Sequence, residues 1–216
     1  MPRSQIRRAP LERARTCDAL LAVGPEADTL CEGWTAHDLA AHLWIRENEL
    51  LTSSGAFIPA LHDRLQARTD ELKQEWLYDE LVERLRQGPP RRSLFSLPGA
   101  DEAGNSTEFL IHGMDVRRPN GLPEPQRDGD FQPWAWGQLA RVASFLVRGN
   151  PVPIVLEWRG RPDHAVRIGK GNRIVTVIGE PSELLLYAFG RRAAADVRLV
   201  GLESAVAEAL GRDPRR

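Results

Sequence analysis

The run Gly24–Glu47, GPEADTLCEGWTAHDLAAHLWIRE, decides the fold class. Gly24-Pro25 closes a preceding helix, since glycine accepts left-handed backbone and proline cannot continue the helical ladder. Thr35 followed three residues later by Asp38 is a capping-box-like start, with the acidic group near the positive helix N-terminus. A helix is therefore expected from about Ala36 to Leu51, ended by Thr52-Ser53-Ser54-Gly55. His42 is the only polar side chain in its stretch Leu39–Ile45.

Outward from this run the chain continues as helix. Upstream, Ile6, Leu11, Ala14, Leu20 and Leu21 fall mostly at three- and four-residue steps. Downstream, residues 60–86 are amphipathic through Leu61, Leu65, Leu72, Trp76, Leu77, Leu81 and Leu85, and read as two shorter helices broken at Gly88-Pro89-Pro90. Residues 88–100 form a connector. A further helix covers about Glu102–Arg118, and residues 119–130 carry only turn signals. The last long helix is expected over Pro133–Arg148, with Trp134, Leu139, Val142, Phe145 and Leu146 buried.

The period then changes. PVPIVLEWRG from Pro151, HAVRIG from His164, RIVTVIG from Arg173 and DVRLVG from Asp196 are short, β-branched and glycine-bounded, as strands are. Two short helices, about 180–190 and 203–211, interrupt and close them. The reading is a mainly α protein: a helical bundle over residues 1–149 and a small α/β domain over 150–216.

Composition excludes several classes. The chain has 216 residues, 42% hydrophobic and 27% charged, which suits a folded core and excludes a mostly disordered protein. No apolar run approaches the roughly 18 residues of a membrane span. The basic N-terminus lacks the apolar segment of a secretory signal. With 29 basic and 30 acidic residues the net charge is −1, so neither nucleic acid nor an anionic membrane is expected as a partner. The two cysteines, Cys17 and Cys31, make no Cys-x-x-Cys pattern, and a reducing cytoplasmic setting is expected. No phosphate loop, dinucleotide fingerprint, nucleophile elbow or His-Glu-x-x-His appears.

Chemistry concentrates on two of the five histidines. His42 and His112 are each embedded in apolar helix, where an unpartnered ring costs on the order of 1–3 kcal/mol. Glu108 lies one turn before His112, so both project from one face about 6 Å apart at Cβ. A carboxylate and an imidazole so placed, joined by His42 from a facing helix, make a two-histidine, one-carboxylate metal set with positions left open. The same spacing also describes a helix-surface pair, and His42 also suits a core histidine bonded to a carbonyl. Pattern alone leaves these open. His37 and His62 are expected to face solvent, and His164 lies in a turn-rich stretch.

GPEADTLCEGWTAHDLAAHLWIRE and NSTEFLIHGMDVRR (Asn105–Arg118) together resemble the DinB-like metal-binding proteins, in particular the mycothiol-dependent maleylpyruvate isomerase group. GEPSELLLYAFGRR (Gly179–Arg192) resembles the small C-terminal domain of that group, which is similar to the sterol-carrier-protein fold. The resemblance implies metal ligation by His42, Glu108 and His112. Asp115 matches the aspartate of the same motif and orients a ligand ring in this reading; its alternative is a surface pair with Arg118. Some close relatives carry a second histidine after the one matching His112; here Gly113 stands there. Residues 52–100 carry no motif of the group.

The activity implied is thiol chemistry. A divalent ion, zinc being the expected one, ionises a low-molecular-weight thiol such as mycothiol, and the thiolate attacks a small electrophile. Arg191 is the candidate for binding a carboxylate of thiol or substrate; its alternative is to cap the helix ending at Gly190. Two rival functions remain: a hydrolase whose metal activates water, and a non-catalytic protein that binds metal or a small ligand. The electrophile and the oligomeric state are not readable from the chain.

Overall fold

Thr35 starts the helix that positions the site, and it does so through a reciprocal cap. In the computed structural model, which describes residues 6–49 and 62–211, Asp38 N donates to Thr35 Oγ1 and Thr35 N donates to Asp38 Oδ2 at 2.9 Å. Two otherwise orphaned amides are thereby satisfied.

The chain divides into two units, residues 1–125 and 126–216. The described part of the first contains α1 (Arg8–Val23), α2 (Ala36–Asn48), α3 (His62–Glu75), α4 (Tyr78–Arg86), a 3-10 turn (Leu94–Ser96) and α5 (Ala100–Arg117). Leu20, Leu39, Leu43, Ile45, Leu72, Leu81, Leu85 and Phe109 form its apolar core. Helices α1 and α5 pack along each other, and Thr16 Oγ1 donates across the seam to Phe109 O at 2.8 Å. Gly113 permits that approach: a Cβ there would meet Thr16 Oγ1 at 2.9 Å. Gly24, at φ +82°, ends α1 as expected. Helix α2 stops at Asn48, with Glu49 as its cap. Its expected continuation to Leu51, the Thr52–Gly55 stop and the start of the next helix near residue 60 lie outside the described residues.

The second unit holds α6 (Phe131–Leu146), β1 (Ile154–Trp158), β2 (Arg161–Ile168), β3 (Val175–Gly179), α7 (Pro181–Ala188), β4 (Val197–Val200) and α8 (Glu203–Leu210). Its sheet order is β2-β1-β3-β4; β1 and β3 run parallel, and the two outer pairs are antiparallel. Ile154, Leu156, Val175 and Val177 alternate inward and are fully buried, as period-two strands covered on one face require. His164 stands in β2 rather than in a turn.

Two expectations for α6 change. Its buried stripe is Phe131, Ala135, Leu139 and Ala143, whereas Phe145 is 70% exposed and Trp134 and Val142 are half-buried. Small alanines at four-residue steps allow close packing, so the large aromatics lie off the interface. The helix packs on α7 and β2, and the division therefore falls at 125/126, where the hydrophobic period suggested 149/150. The chain is thus mostly helical with a small four-stranded sheet. Among the described residues no helix is long and apolar enough to cross a membrane.

Candidate metal centre

Two helix turns beyond the Thr35 cap, α2 turns His42 toward α5, and α5 presents Glu108 and His112 one turn apart. His112 Nε2 lies 3.3 Å from Glu108 Oε1, and His42 Nε2 lies 3.9 Å from the same oxygen. One ligand atom from each of the three residues falls within 4.8 Å of the others. The two rings meet nearly edge to face, with centroids 5.6 Å apart.

The loop before α2 closes over this cluster. Thr29 Oγ1 donates to Trp34 O at 2.9 Å, Cys31 N donates to Thr29 Oγ1 at 3.1 Å, and Leu30 N donates to Asp115 O at 3.0 Å. Trp34 thereby packs against the His42 ring, tilted at 54° with centroids 4.9 Å apart. The turn written Gly33-Trp34-Thr35 thus caps the helix and covers its histidine at once.

Asp115 is fully buried and accepts from His112 Nδ1 at 2.8 Å; Cys31 Sγ donates to the same oxygen at 3.3 Å. The carboxylate therefore orients the ring, and Arg118 instead faces Glu124 at 3.5 Å. Fixing one nitrogen of a ligand imidazole in this way is the usual outer support of a metal-binding histidine.

Arg46, one turn past His42, was not singled out from the sequence. Its Nε lies 3.3 Å from Glu108 Oε1, its Nη2 donates to Gly104 O at 2.8 Å, and its Nη1 donates to Asn105 Oδ1. Asn105 in turn donates to Glu47 Oε1 at 2.8 Å and Asp101 Oδ1 at 2.9 Å. Both carboxylates clasp the buried Arg13, at 2.5 and 2.6 Å. A four-residue spacing to His42 was the available signal for Arg46. Cys31 had none, because it reaches Asp115 from irregular loop.

The three ionisable groups take different states. Burial pushes the His42 imidazole below its ordinary pKa, which keeps it neutral and able to offer a lone pair. Burial opposes ionisation of Glu108, yet the hydrogen bond from His112, the nearby His42 ring and the Arg46 charge hold it well below the usual carboxylate range. Burial likewise opposes charging of His112, but Asp115, Cys31 and Glu108 around it hold its pKa well above the ordinary value. Without an ion, His112 carries the cation between two carboxylates.

This donor set fits a divalent cation. Ligand atoms about 2.0–2.2 Å from one tetrahedral ion lie roughly 3.3 Å apart, close to the spacings of Glu108 with both histidines. His42 supplies a second sign: its Nδ1 is buried without a hydrogen-bond partner, and its Nε2 is too far from Glu108 for a hydrogen bond. A buried ring nitrogen left without a partner is costly.

The other candidates stand apart from this cluster. His37 is half-buried against the Tyr78 ring at 5.2 Å, not turned to solvent, because α4 packs beside the start of α2. The His62 side chain lies outside the described residues. His164 sits among Trp158 and Trp136, at 5.4 and 5.8 Å. Arg191 is buried, and its Nη1 donates to Phe189 O at 2.8 Å, at the end of α7. That is capping geometry.

No protein-family model matches the chain, and no curated protein matches it. Among solved structures it is similar to the mycothiol-dependent maleylpyruvate isomerase, at 19% identity and a TM-score of 0.53, over 88% of this chain and 89% of that one. A histidine-to-alanine mutant of that enzyme aligns at 18% identity and 0.51 over the same shares. At such identity the likeness establishes architecture, and the chain has the fold of the mycothiol-dependent maleylpyruvate isomerase.

Proposed function

We propose that His42, Glu108 and His112 hold one divalent ion, zinc being the best match to two imidazoles and a carboxylate, and that the site activates a low-molecular-weight thiol for attack on a small electrophile. The carrying observation is the convergence of the three side chains, one ligand atom of each within 4.8 Å of the others, with His42 Nε2 turned to the same Glu108 oxygen that His112 faces. The neighbouring fold belongs to an enzyme named for its dependence on mycothiol, which makes mycothiol or a similar thiol the cosubstrate of this reading. A divalent ion at this position supplies the charge that keeps a bound thiol ionised near neutral pH.

The chain's own residues prepare that chemistry. Burial keeps His42 neutral. Asp115 holds the His112 ring through Nδ1, so that Nε2 faces Glu108. Arg46 Nε, 3.3 Å from the Glu108 oxygen that the rings face, holds the carboxylate in place. Trp34 and the apolar turn around His42 exclude water, which strengthens every charge interaction inside. The second unit is read as the small sterol-carrier-like domain of this group, with Arg191 as its candidate for a substrate or thiol carboxylate.

The test is a cobalt-loaded protein titrated with thiols, mycothiol included, on a Cys31→Ser background. The reading expects a sulfur-to-cobalt charge-transfer band that appears only when thiol is added. No band with any thiol, accompanied by hydrolysis of a model ester or amide, replaces it with a hydrolase. Neither band nor hydrolysis leaves a non-catalytic binding protein.

A further inference from the structure

We infer that Cys31, His112 and Asp115 form a second cation position, built on the other nitrogen of His112, that takes a thiophilic ion. It goes beyond the proposed thiol chemistry and does not depend on it, because neither His42 nor Glu108 takes part.

The three ligand atoms lie within 4.8 Å of one another. His112 Nδ1 is 2.8 Å from Asp115 Oδ2, and Cys31 Sγ is 3.3 Å from that oxygen. On a tetrahedral ion with Zn–S near 2.3 Å and Zn–N and Zn–O near 2.0 Å, these edges are roughly 3.3 and 3.5 Å. The cluster therefore has to open by only a few tenths of an ångström as an ion replaces the hydrogen-bonding protons. One sulfur, one nitrogen and one carboxylate oxygen form a softer set than His42, Glu108 and His112, and sulfur favours soft cations.

The position is built in advance of any ion. Leu30 N donates to Asp115 O, and Thr29 Oγ1 accepts from Cys31 N, which pins the loop carrying the thiol to the helix carrying the other two ligands. Cys31 is half-buried, so an ion has a path to it. Cys17 has no such setting: it is fully buried, and burial pushes its thiol up to about 12.

His112 makes the two positions exclusive. A neutral imidazole has a single lone pair. When Nδ1 binds the ion, Nε2 carries the hydrogen and donates to Glu108 Oε1, already 3.3 Å away. The ring then no longer serves the set with His42. A soft ion and a harder one thus compete for one histidine from opposite sides.

The experiment uses the full chain, freed of metal with a chelator and titrated with cadmium without added thiol. Expected is a thiolate-to-cadmium absorption band that saturates at one ion per chain in wild type, Cys17→Ser and His42→Ala. Cys31→Ser should lose the band, with cadmium affinity lowered about tenfold or more. Mass mapping of wild type supplies a readout free of any substitution: cadmium should protect Cys31 from alkylation. No band in wild type, a band that survives Cys31→Ser, its loss in His42→Ala, or unprotected Cys31 would overturn the proposal. Because His42→Ala removes a ligand of the thiol-activating set and none of this one, failure of either assignment is seen separately.

Discussion

His42 and His112 face each other from α2 and α5 with ring centroids 5.6 Å apart, inclined at 70°. Two imidazoles that close, both buried, are not a packing solution the core needs, since Leu or Phe would fill the space without a desolvation cost. One stays neutral and the other is charged because Glu108 and Asp115 stand on either side of it. In the proposed reading a shared cation takes the place of the His112 proton and binds both rings.

Arg46 should matter to the metal although it is no ligand. Its Nε contact fixes Glu108, and its other nitrogens tie it to Gly104 and Asn105. Arg46→Met is expected to weaken zinc affinity about tenfold to a hundredfold, the usual size for an outer partner, and Arg46→Lys to recover part of it. Competition against a chromophoric chelator measures this. Equal affinities in all three proteins would remove Arg46 from the account.

The Arg13 cluster should be a stability determinant. Arg13→Met leaves Glu47 and Asp101 buried without their cation, a change that costs about 3–5 kcal/mol. Urea unfolding would show it as a lowered midpoint. A change below about 1 kcal/mol would mean the two carboxylates re-pair with Asn105 and water.

Glu47 gives that cluster a pH signature. Burial pushes its carboxyl up to about 7 in spite of Arg13. The folded pKa exceeds the ordinary 4.5, so the stability it contributes is present below about 4.5 and is lost as pH rises through about 7. Glu47→Gln should therefore gain on wild type as pH rises across that window. Thermal unfolding of both proteins at several pH values reads the gap; a gap that stays constant contradicts the shift.

Arg191 has two readings with different readouts. Its guanidinium bonds to Phe189 O at the end of α7, so Arg191→Ala should lower the melting temperature by a few degrees, as loss of about 1 kcal/mol does in a domain of this size. Thiol or substrate binding that falls with metal content unchanged would assign it the carboxylate-binding role. Binding that survives while stability falls leaves it a cap.

Local chemistry was legible and lateral chemistry was not. Thr35, Asp38 and Gly24 announce their helix ends because each acts within four residues. Glu108 and His112 share one helix face, so their pairing was open to spacing; Asp115 came from the family resemblance, and His42 was legible as a polar ring in apolar helix. For α6 the period marked a buried face but not its partner, and its bulky aromatics drew attention away from Ala135 and Ala143. Cys31 reaches Asp115 from a loop whose path depends on the Thr29 hydroxyl and the Leu30 amide. No periodicity reports that. His37 was misplaced because Tyr78, 41 positions on, covers it.

The most direct test of the central claim is metal content by elemental analysis of protein purified without chelator. On the Cys31→Ser background, the otherwise unchanged chain and His37→Ala should carry about one divalent ion per chain, while His42→Ala and His112→Ala should carry almost none and melt at lower temperature, since an ion bound only to the folded state stabilises it by mass action. The otherwise unchanged chain without divalent metal, and unable to take up zinc or cobalt on addition, would contradict the account.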